Sequence, residues 1–552
     1  MPWPAKALPA SAIGRQHWLC LALIFAGHTC ITLYWLRLDQ QPPLWDMALH
    51  QSVGLRFHDY YLPQGNQEAT SWWDISGAYP PFYHHLPALA FVFGRDGDMA
   101  VMANIPITAL LLLGTFLLGC RWFSASAGLW AALLLACFPY MAWISRETVI
   151  DYTLTAVVLW CILALECTQA FSRRVDSLIL GGLLALCALT KWIGPLFLIL
   201  PMLYFYLKGW SPPEKQVRAE VSGDSSRKFI PPLTQRGRNF WDAILIAGAL
   251  TLLWYGPKLP EIIQFLRRNT LVGAAEGEPP VFSWQSTVYY LRLLEGQQLH
   301  LFFSLAVLAG LFYAFRKQRT AFNVLVCWIL SGYIGLTLLR TKDPRFSLPY
   351  LPAMALLSAC WIDGLSIRWI GPAARILMAG MAIGTFWLVS FGWGQLPREV
   401  VLCKGYQGSY SWDWRLYSQD YFGLLGPPRS AIWPQEKILW RIVQEGTKKE
   451  NWKLGIVPDF PRFNHENLRL AARLRRWPVD VYRIGGSEDN SESFLSQMDF
   501  IIVAEGQQGM EWSTRHSKDV NQFVGNHPEQ FTVDLSCRLP DGNHLRLYRV
   551  KR

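Results

Sequence analysis

The sequence predicts a polytopic α-helical membrane protein that ends in a soluble α/β domain. Of its 552 residues, 52% are hydrophobic and only 16% are charged, whereas about 25% is usual in soluble proteins. Long apolar runs recur from Trp18 to Trp393, and ordinary soluble sequence follows them. We therefore expect a membrane domain at residues 1–394, with a long first outer loop at 37–98, and an extracytoplasmic domain at residues 395–552.

About eleven apolar segments can cross a bilayer, which takes roughly 17 to 25 residues in a helix. The first run lacks a small-residue cleavage pattern, which favours an uncleaved helix over a signal peptide. The stretch at 178–207 exceeds one span and is interrupted by Lys191 and Pro195, so it predicts a hairpin of two short helices. The other spans are expected near 18–36, 99–118, 125–143, 149–170, 241–257, 299–315, 321–339, 348–363 and 373–394.

The distribution of basic residues predicts the orientation. With the N-terminus inside, the short loops that carry Arg121, Arg173 and Arg316 are cytoplasmic, as positive charges should be. Membrane insertion therefore accounts for much of the net charge of +11, and we expect no nucleic-acid partner. The polar, proline-rich stretch at 208–238 predicts a cytoplasmic linker, and an odd number of spans places the C-terminal domain outside.

The C-terminal segment alternates strand-like and helix-like patterns, which predicts an α/β layered domain. No glycine-rich phosphate loop follows any predicted strand, so nucleotide binding is not supported. A disulfide between Cys403 and Cys537 stays open, as do two roles for the domain, acceptor recognition or a cap over the active site. The predicted strands are KLGIVPD, DVYRI, DFIIVAEG, FTVDLSCRL and HLRLYRV, and the predicted helix is HENLRLAARLRR.

Acidic residues on the outer side are candidates for chemistry. Asp46 stands beside Trp45 in an interfacial turn, and the residues after it can form a helix along the membrane. A carboxylate held there could act as a base at the level of the lipid headgroups. Glu147 and Asp151 in SRETVID are spaced i,i+4 and are expected on one helix face, where capping of a helix start is the alternative to catalysis.

Cations on the same side call for an anionic partner. Lys191 interrupts an apolar hairpin, which indicates a function, a buried partner or a snorkelling side chain. Arg340, Lys342 and Arg345 cluster in RTKDPRF, where positive charge is disfavoured, and arginine suits a phosphate because its planar fork donates two parallel hydrogen bonds. A phosphate carried on a lipid would meet this cluster.

Aromatic and histidine side chains complete the candidate set. Trp72 and Trp73 could stack on a sugar ring, although an interfacial tryptophan belt explains them as well, and Tyr79 is a further candidate for sugar contact. His50 follows Asp46 by four residues, and one Asp with one His is an incomplete metal site. We therefore predict no cofactor, and a bound divalent metal is not supported.

These residues together resemble the GT-C class of glycosyltransferases, which use polyprenyl-phosphate sugars and include protein O-mannosyltransferases of family 39 and the lipid A aminoarabinose transferase. The resemblance covers most of the membrane part. It depends on the order and placement of Asp46, AYPPFYHHLPAL, SRETVID, GGLLALCALTKW and RFSLPYLPAMALL.

The resemblance implies roles for individual residues. Asp46 matches the proposed catalytic acid of the first loop, and Glu147 or Asp151 matches the acid of the second outer loop. Lys191 and Arg345 match ligands of the donor phosphate. Family members often have Asp-Glu where this chain has Asp46 followed by Met47, which puts a carboxylate-pair metal site in doubt.

The expected function is transfer of one sugar from a polyprenyl phosphate to a glycan, lipid or protein acceptor on the outer face of the inner (plasma) membrane. A transporter or lipid flippase is the alternative, but its polar residues should lie near the middle of the membrane, whereas these charges gather at one face. A membrane-tethered binding protein and a ligase that uses pyrophosphate-linked donors also remain open. The sequence does not identify the sugar.

Overall fold

The chain folds into a helical bundle followed by a mixed α/β sheet domain. The computed structural model describes residues 13–62, 71–210, 233–365, 370–404, 413–445, 451–485, 492–510 and 513–551. The described helices of the bundle, α1 to α16, are Arg15–Leu38, Trp45–Tyr61, His85–Ala90, Gly97–Met102, Asn104–Trp122, Ala125–Cys137, Pro139–Ile144, Ile150–Cys167, Arg174–Thr190, Ile199–Trp210, Leu233–Ala275, Trp284–Leu293, His300–Lys317, Arg319–Thr337, Leu351–Cys360 and Ile370–Phe391.

The bundle is a multi-pass membrane region. Within the described residues, seven helices are long and apolar enough to cross a membrane. This number is lower than the expected eleven because four of the predicted spans form the shorter helices α6, α9, α10 and α15.

The predicted hairpin at 178–207 is interrupted where the sequence indicated. The helix α9 ends at Thr190, Lys191 has an extended backbone, and a 3-10 turn at Gly194–Phe197 contains Pro195 before α10 begins. Proline cannot continue the backbone hydrogen bonds of a helix, and the break leaves the Lys191 side chain inside the bundle.

Two sequence predictions for the surrounding segments are wrong. The helix α11 does not end near 257 but continues through Pro257 and Pro260 to residue 275, because each proline removes only one backbone hydrogen bond and Phe265 beyond them packs against Tyr79. The same helix begins at residue 233, inside the predicted linker. The rest of that linker, residues 211–232, lies outside the described residues.

The helix α2 forms as predicted, but it is buried on several faces rather than on one. Side chains on most of its faces are buried, including those of Met47, Gln51 and Leu55. The reason is that the C-terminal domain packs on it from one side and α3 from another.

The C-terminal domain is built on a five-stranded sheet with the order β4-β3-β5-β7-β6, next to a separate β1–β2 hairpin. The strands β4, β3 and β5 are parallel, and β7 is antiparallel to both β5 and β6. The five predicted strands and the predicted helix are all present, and neither Cys403 nor Cys537 forms a disulfide among the described residues. The strands β1 to β7 are Glu399–Lys404, Asp413–Ser418, Trp452–Ile456, Val479–Arg483, Phe500–Ala504, Phe531–Arg538 and His544–Val550, and the helices α17 to α20 are Gln435–Val443, His465–Arg475, Glu492–Leu495 and Ser517–Asn526.

Direct hydrogen bonds join the sheet domain to α2 and the loop before it. The Trp45 indole donates to the Asp459 carboxylate over 2.9 Å. The Asn467 amide donates to the carbonyl of Pro43 over 2.6 Å. Since Trp45 precedes Asp46, the sheet domain helps to fix the start of α2, where the candidate base lies.

Candidate active site

Asp46 and Arg345 form an ion pair although 299 residues separate them. Asp46 lies in the first turn of α2, and Arg345 lies in a 3-10 helix, Pro344–Tyr350. Arg345 Nη2 donates to Asp46 Oδ2 over 2.9 Å, and Arg345 Nε lies 3.0 Å from each carboxylate oxygen of Asp343. Asp343 caps this 3-10 helix by accepting from the Arg345 backbone N–H over 2.8 Å. Asp343 therefore holds the guanidinium in position toward Asp46.

A second ion pair, Lys191–Asp151, lies beside the first. Lys191 Nζ is 2.8 Å from both carboxylate oxygens of Asp151, which stands in the first turn of α8. The same ammonium lies 4.3 Å from the ring centroid of Phe346, the residue after Arg345. The buried lysine thus has a buried partner, and both ion pairs adjoin the same 3-10 helix.

The two aspartates that contact these cations differ in accessibility. The Asp46 side chain is 45% exposed, whereas that of Asp151 is 3% exposed. Arg345 Nη1 makes no hydrogen bond to any residue that the structure describes. The accessible groups are therefore a carboxylate and an adjacent guanidinium nitrogen, which can bind an anion and accept a proton at the same place.

A wall of aromatic and imidazole side chains borders the ion pairs. Tyr79 packs edge-on against His50, with ring centroids 5.2 Å apart, and stacks on Trp192 at 5.7 Å. Burial lowers the pKa of His50, and nearby Arg345 and Lys191 lower it further. This wall is therefore uncharged at neutral pH, and it brings the predicted sugar-contact residue Tyr79 to the site.

Glu147 lies elsewhere, and its predicted helix face shared with Asp151 is wrong. The helix α8 begins at Ile150, so Glu147 precedes it in a turn. The Glu147 side chain lines a separate cavity together with Asp39 and Arg462. Burial raises its pKa to about 7, although Arg462 opposes this shift.

Of the predicted basic cluster, Arg345 alone contacts Asp46 within the described part of the chain. Lys342 Nζ donates to the carbonyls of Leu336 and Thr337 over 2.9 Å each, at the end of α14. Burial lowers the Lys342 pKa to about 8. Arg340 Nη1 is buried with no hydrogen-bond partner among the described residues. In this structure the Lys342 ammonium therefore hydrogen-bonds to carbonyl groups at the end of α14. That it binds a phosphate stays a prediction.

The tryptophans of the first loop lie in another aromatic cluster. Trp72 Nε1 donates to the Tyr61 hydroxyl over 2.8 Å and its ring is 5.1 Å from that of Trp73. Trp73 is 41% exposed. Of the three predicted sugar-contact residues, the structure brings Tyr79 to the ion pairs.

Sequence reasoning missed Asp343 and the contact between His50 and His84. The sequence Asp-Pro at 343–344 is a recognisable helix start, with an acidic cap followed by proline, and it could have identified Asp343. His50 Nδ1 lies 3.2 Å from His84 Nε2, which no local spacing predicts. In the described ranges, no three His, Cys, Asp or Glu side chains are grouped as metal ligands.

Comparison with known proteins shows the fold. ArnT from Cupriavidus metallidurans bound to undecaprenyl phosphate matches with a TM-score of 0.60 and 14% identity, over 97% of this chain and 98% of that chain. Apo ArnT from the same organism matches with a TM-score of 0.58 and 14% identity, over 96% and 98% of the two chains. No protein-family profile matches the chain, and no curated protein sequence does. The predicted GT-C resemblance is thus confirmed for the fold, a multi-span helical membrane region with a C-terminal mixed sheet domain.

Proposed function

We propose that the protein is a membrane glycosyltransferase that moves a single sugar from a polyprenyl-phosphate donor to an acceptor hydroxyl on the extracytoplasmic face. The observation that carries the proposal is the accessible Asp46 carboxylate, hydrogen-bonded to the partly buried Arg345, in a fold shared with a protein solved bound to undecaprenyl phosphate. The sugar and the acceptor are not specified by this observation.

Arg345 and Lys191 are suited to the leaving group. The acceptor oxygen forms a bond to the anomeric carbon while the bond between that carbon and the donor phosphate breaks. The electron pair of the broken bond goes to the phosphate oxygen, so the phosphate gains one negative charge. Preorganised cations that face this oxygen stabilise the transition state more than the ground state, and Arg345 Nη1 has no competing bond among the described residues.

Asp46 is suited to take the proton that the acceptor hydroxyl loses. Its carboxylate is exposed, and a general base must lie within hydrogen-bond reach of the substrate. In this structure Arg345 Nη2 occupies one of its oxygens. A bound phosphate competes for that guanidinium and leaves Asp46 to the acceptor, while Asp343 keeps Arg345 in place.

Asp151 acts through Lys191 in this scheme. Its carboxylate is nearly inaccessible, and both of its oxygens contact the Lys191 ammonium. It is therefore a positioning residue rather than a base. Glu147 is separated from the ion pairs and takes no part in the transfer step.

The arrangement supports an enzyme rather than a transporter. Transporters built from repeated halves bind substrate at discontinuous helices near the middle of the membrane. Here Asp46 and Arg345 lie at the end of the bundle on which the sheet domain packs, since Trp45 contacts Asp459 directly. That placement suits a donor headgroup that is anchored at a bilayer surface.

Mass spectrometry of lipids that copurify with the protein tests the proposal. We expect a polyprenyl-phosphate sugar with the parent protein and its loss with Arg345→Ala, because the guanidinium binds the phosphate. Arg95→Ala removes an arginine that is paired with Asp59 near the end of α2. It is therefore the matched control and should retain the lipid. Bulk phospholipid alone in every sample, with added donor neither bound nor consumed, would contradict the proposed function.

A further inference from the structure

A second cavity lies between the bundle and the sheet domain, on another side of α2. Its volume is about 380 Å³, within the range of about 300 to 1,000 Å³ that small-molecule sites have. Gln51 lines it from α2, and five residues of helix turn this position roughly 140° away from Asp46. The loop after α1, the start of α4, the turn before α8, and α18 supply other parts of the wall, so the cavity requires both domains.

The wall of this cavity includes side chains whose buried polar atoms lack hydrogen-bond partners among the described residues. Arg146, Gln51 and Asn467 line it and are 2%, 2% and 3% exposed. Arg146 Nε and Nη1, Gln51 Oε1 and Asn467 Oδ1 have no hydrogen-bond partner within the described ranges. The carbonyl of Pro43 can only accept, so the Asn467 atom that contacts it is the amide nitrogen. The Asn467 side-chain oxygen is therefore the acceptor left without a partner. Leaving such groups unmatched costs about 1 to 3 kcal/mol each, and a ligand that pairs with them would recover this free energy.

Two tryptophans belong to the same wall as these polar groups. Trp35 and Trp433 both line the cavity. The Trp433 indole nitrogen is also buried without a hydrogen-bond partner among the described residues. The wall thus offers unpaired donors, unpaired acceptors and indole rings together. Hydroxyl groups on a saccharide ring match this combination, because each hydroxyl both donates and accepts and the ring presents C–H groups to an aromatic face.

The charges on the wall disfavour an anionic ligand. Its carboxyl groups number five and belong to Asp39, Asp96, Asp98, Glu147 and Glu436. Arg462 donates from both terminal nitrogens to backbone carbonyls, whereas Arg146 Nε and Nη1 have no hydrogen-bond partner in the described part of this wall. An uncharged saccharide, or one with an amino group, therefore fits better than a phosphorylated or carboxylated one.

We propose that this cavity binds a neutral or amino saccharide that forms the non-reacting part of the acceptor glycan. This inference deepens the proposed function and rests on it for the link to transfer. Gln51 and Asp46 are five residues apart on one helix, about 7.5 Å along its axis. A glycan held at Gln51 can therefore extend around the start of α2 toward the candidate base.

Saturation-transfer NMR on the full chain in nanodiscs tests the inference. The probes are methyl α-D-mannoside, methyl β-D-glucoside and glucosamine, with glucuronate and glucose 1-phosphate as their anionic counterparts. We expect the neutral and amino probes to bind more tightly than the anionic ones. Asn467→Ala should weaken that binding about tenfold, as expected for the loss of one buried hydrogen bond.

A second variant replaces no polar side chain. A Cβ at Gly97 would lie 3.2 Å from Gln51 Oε1, so Gly97→Ala displaces that amide and should also weaken binding. Gly237→Ala is the matched control, because a Cβ at Gly237 has no heavy atom within 4 Å, and it should bind as the parent does.

The outcomes separate this inference from the proposed function. Absence of saccharide binding, equal binding in all variants, or tighter binding of the anionic probes would overturn the saccharide site. Asp46→Asn should keep saccharide binding, because Asp46 does not line the cavity. If no donor is bound or consumed while saccharide still binds, the transferase proposal fails and the cavity remains a saccharide site without a role in transfer.

Discussion

The two sides of α2 hold their charges in opposite ways. On the side of Asp46, the cation Arg345 is paired with Asp343 and Asp46, and Asp46 is 45% exposed. On the side of Gln51, Arg146 is 2% exposed and has two guanidinium nitrogens without partners among the described residues. One side therefore has paired charges that a substrate can reach, and the other has unpaired groups that are already desolvated.

This difference separates chemistry from recognition. On the Asp46 side, Arg345 keeps Asp343 as an ionic partner when Asp46 takes up a proton. Unpaired buried dipoles gain most from a ligand that supplies the missing hydrogen bonds. One short segment contributes to both sides, since Arg146 and Glu147 line the cavity while Asp151 pairs with Lys191. Substitutions in this segment can therefore distinguish the two sides.

Loss of the Asp151 carboxylate should have the largest effect on stability. Asp151→Asn leaves the Lys191 ammonium buried without a counter-ion, which typically costs about 3 to 5 kcal/mol. Asp59→Asn breaks an ion pair with Arg95 whose acid is 30% exposed, and its effect should be about 1 kcal/mol or less. Chemical unfolding of the purified variants measures both. Equal losses for the two variants would mean that the Lys191–Asp151 pair is not buried.

Replacement of Arg345 should have the next largest effect, on turnover. Lysine keeps the charge at this position but cannot form the planar contacts to Asp343 and a phosphate. We expect Arg345→Lys to lower donor turnover about a hundredfold, measured with the donor that the lipid analysis identifies. Arg95→Lys is the control and should stay close to the parent. Parental turnover in Arg345→Lys would show that the site needs only a positive charge.

On the cavity side, the free energy of unfolding should depend on pH through Glu147. Burial raises the Glu147 pKa from 4.5 to about 7, so the folded state favours the protonated form. Its contribution to stability is complete below pH 4.5 and is lost as the pH rises through 7. We expect Glu147→Gln to exceed the parent in free energy of unfolding by about 3 kcal/mol at pH 8, with the difference vanishing below pH 4.5. A difference that stays constant across this range would show that folding does not raise the Glu147 pKa.

The smallest effect is expected where the sheet domain meets α2. Trp45→Phe removes the hydrogen bond to Asp459 and keeps most of the aromatic packing. One such bond contributes about 1 kcal/mol, so the unfolding midpoint should fall slightly and turnover should change by less than about threefold. A loss of turnover as large as that of Arg345→Lys would mean that this contact controls the position of Asp46.

The sequence predicted Asp46 from its interfacial turn beside Trp45, and it predicted Lys191 and Arg345 because a positive charge is costly where each stands. A charge inside an apolar run, or a cluster of cations on the disfavoured side, can be recognised without tertiary information. The structure brings these three residues to the same place. Their catalytic and binding roles remain predictions that the measurements above address.

Other features depended on contacts that the sequence does not encode locally. The start of α8 at Ile150 has no side-chain cap at Val149, so no pattern separated Glu147 from Asp151. The partner of Lys191 is 40 residues away, and the cavity forms only when α18 packs against α2. Long-range packing of this kind cannot be derived from spacing in a single sequence.

The most direct measurement is donor turnover by Asp46→Asn, with the amount of bound donor measured in the same samples. Loss of a general base typically lowers the rate by about 10² to 10⁴. We expect such a loss of turnover while the copurifying polyprenyl-phosphate sugar stays bound to the Asp46→Asn protein. Turnover within about threefold of the parent would show that Asp46 is not the base.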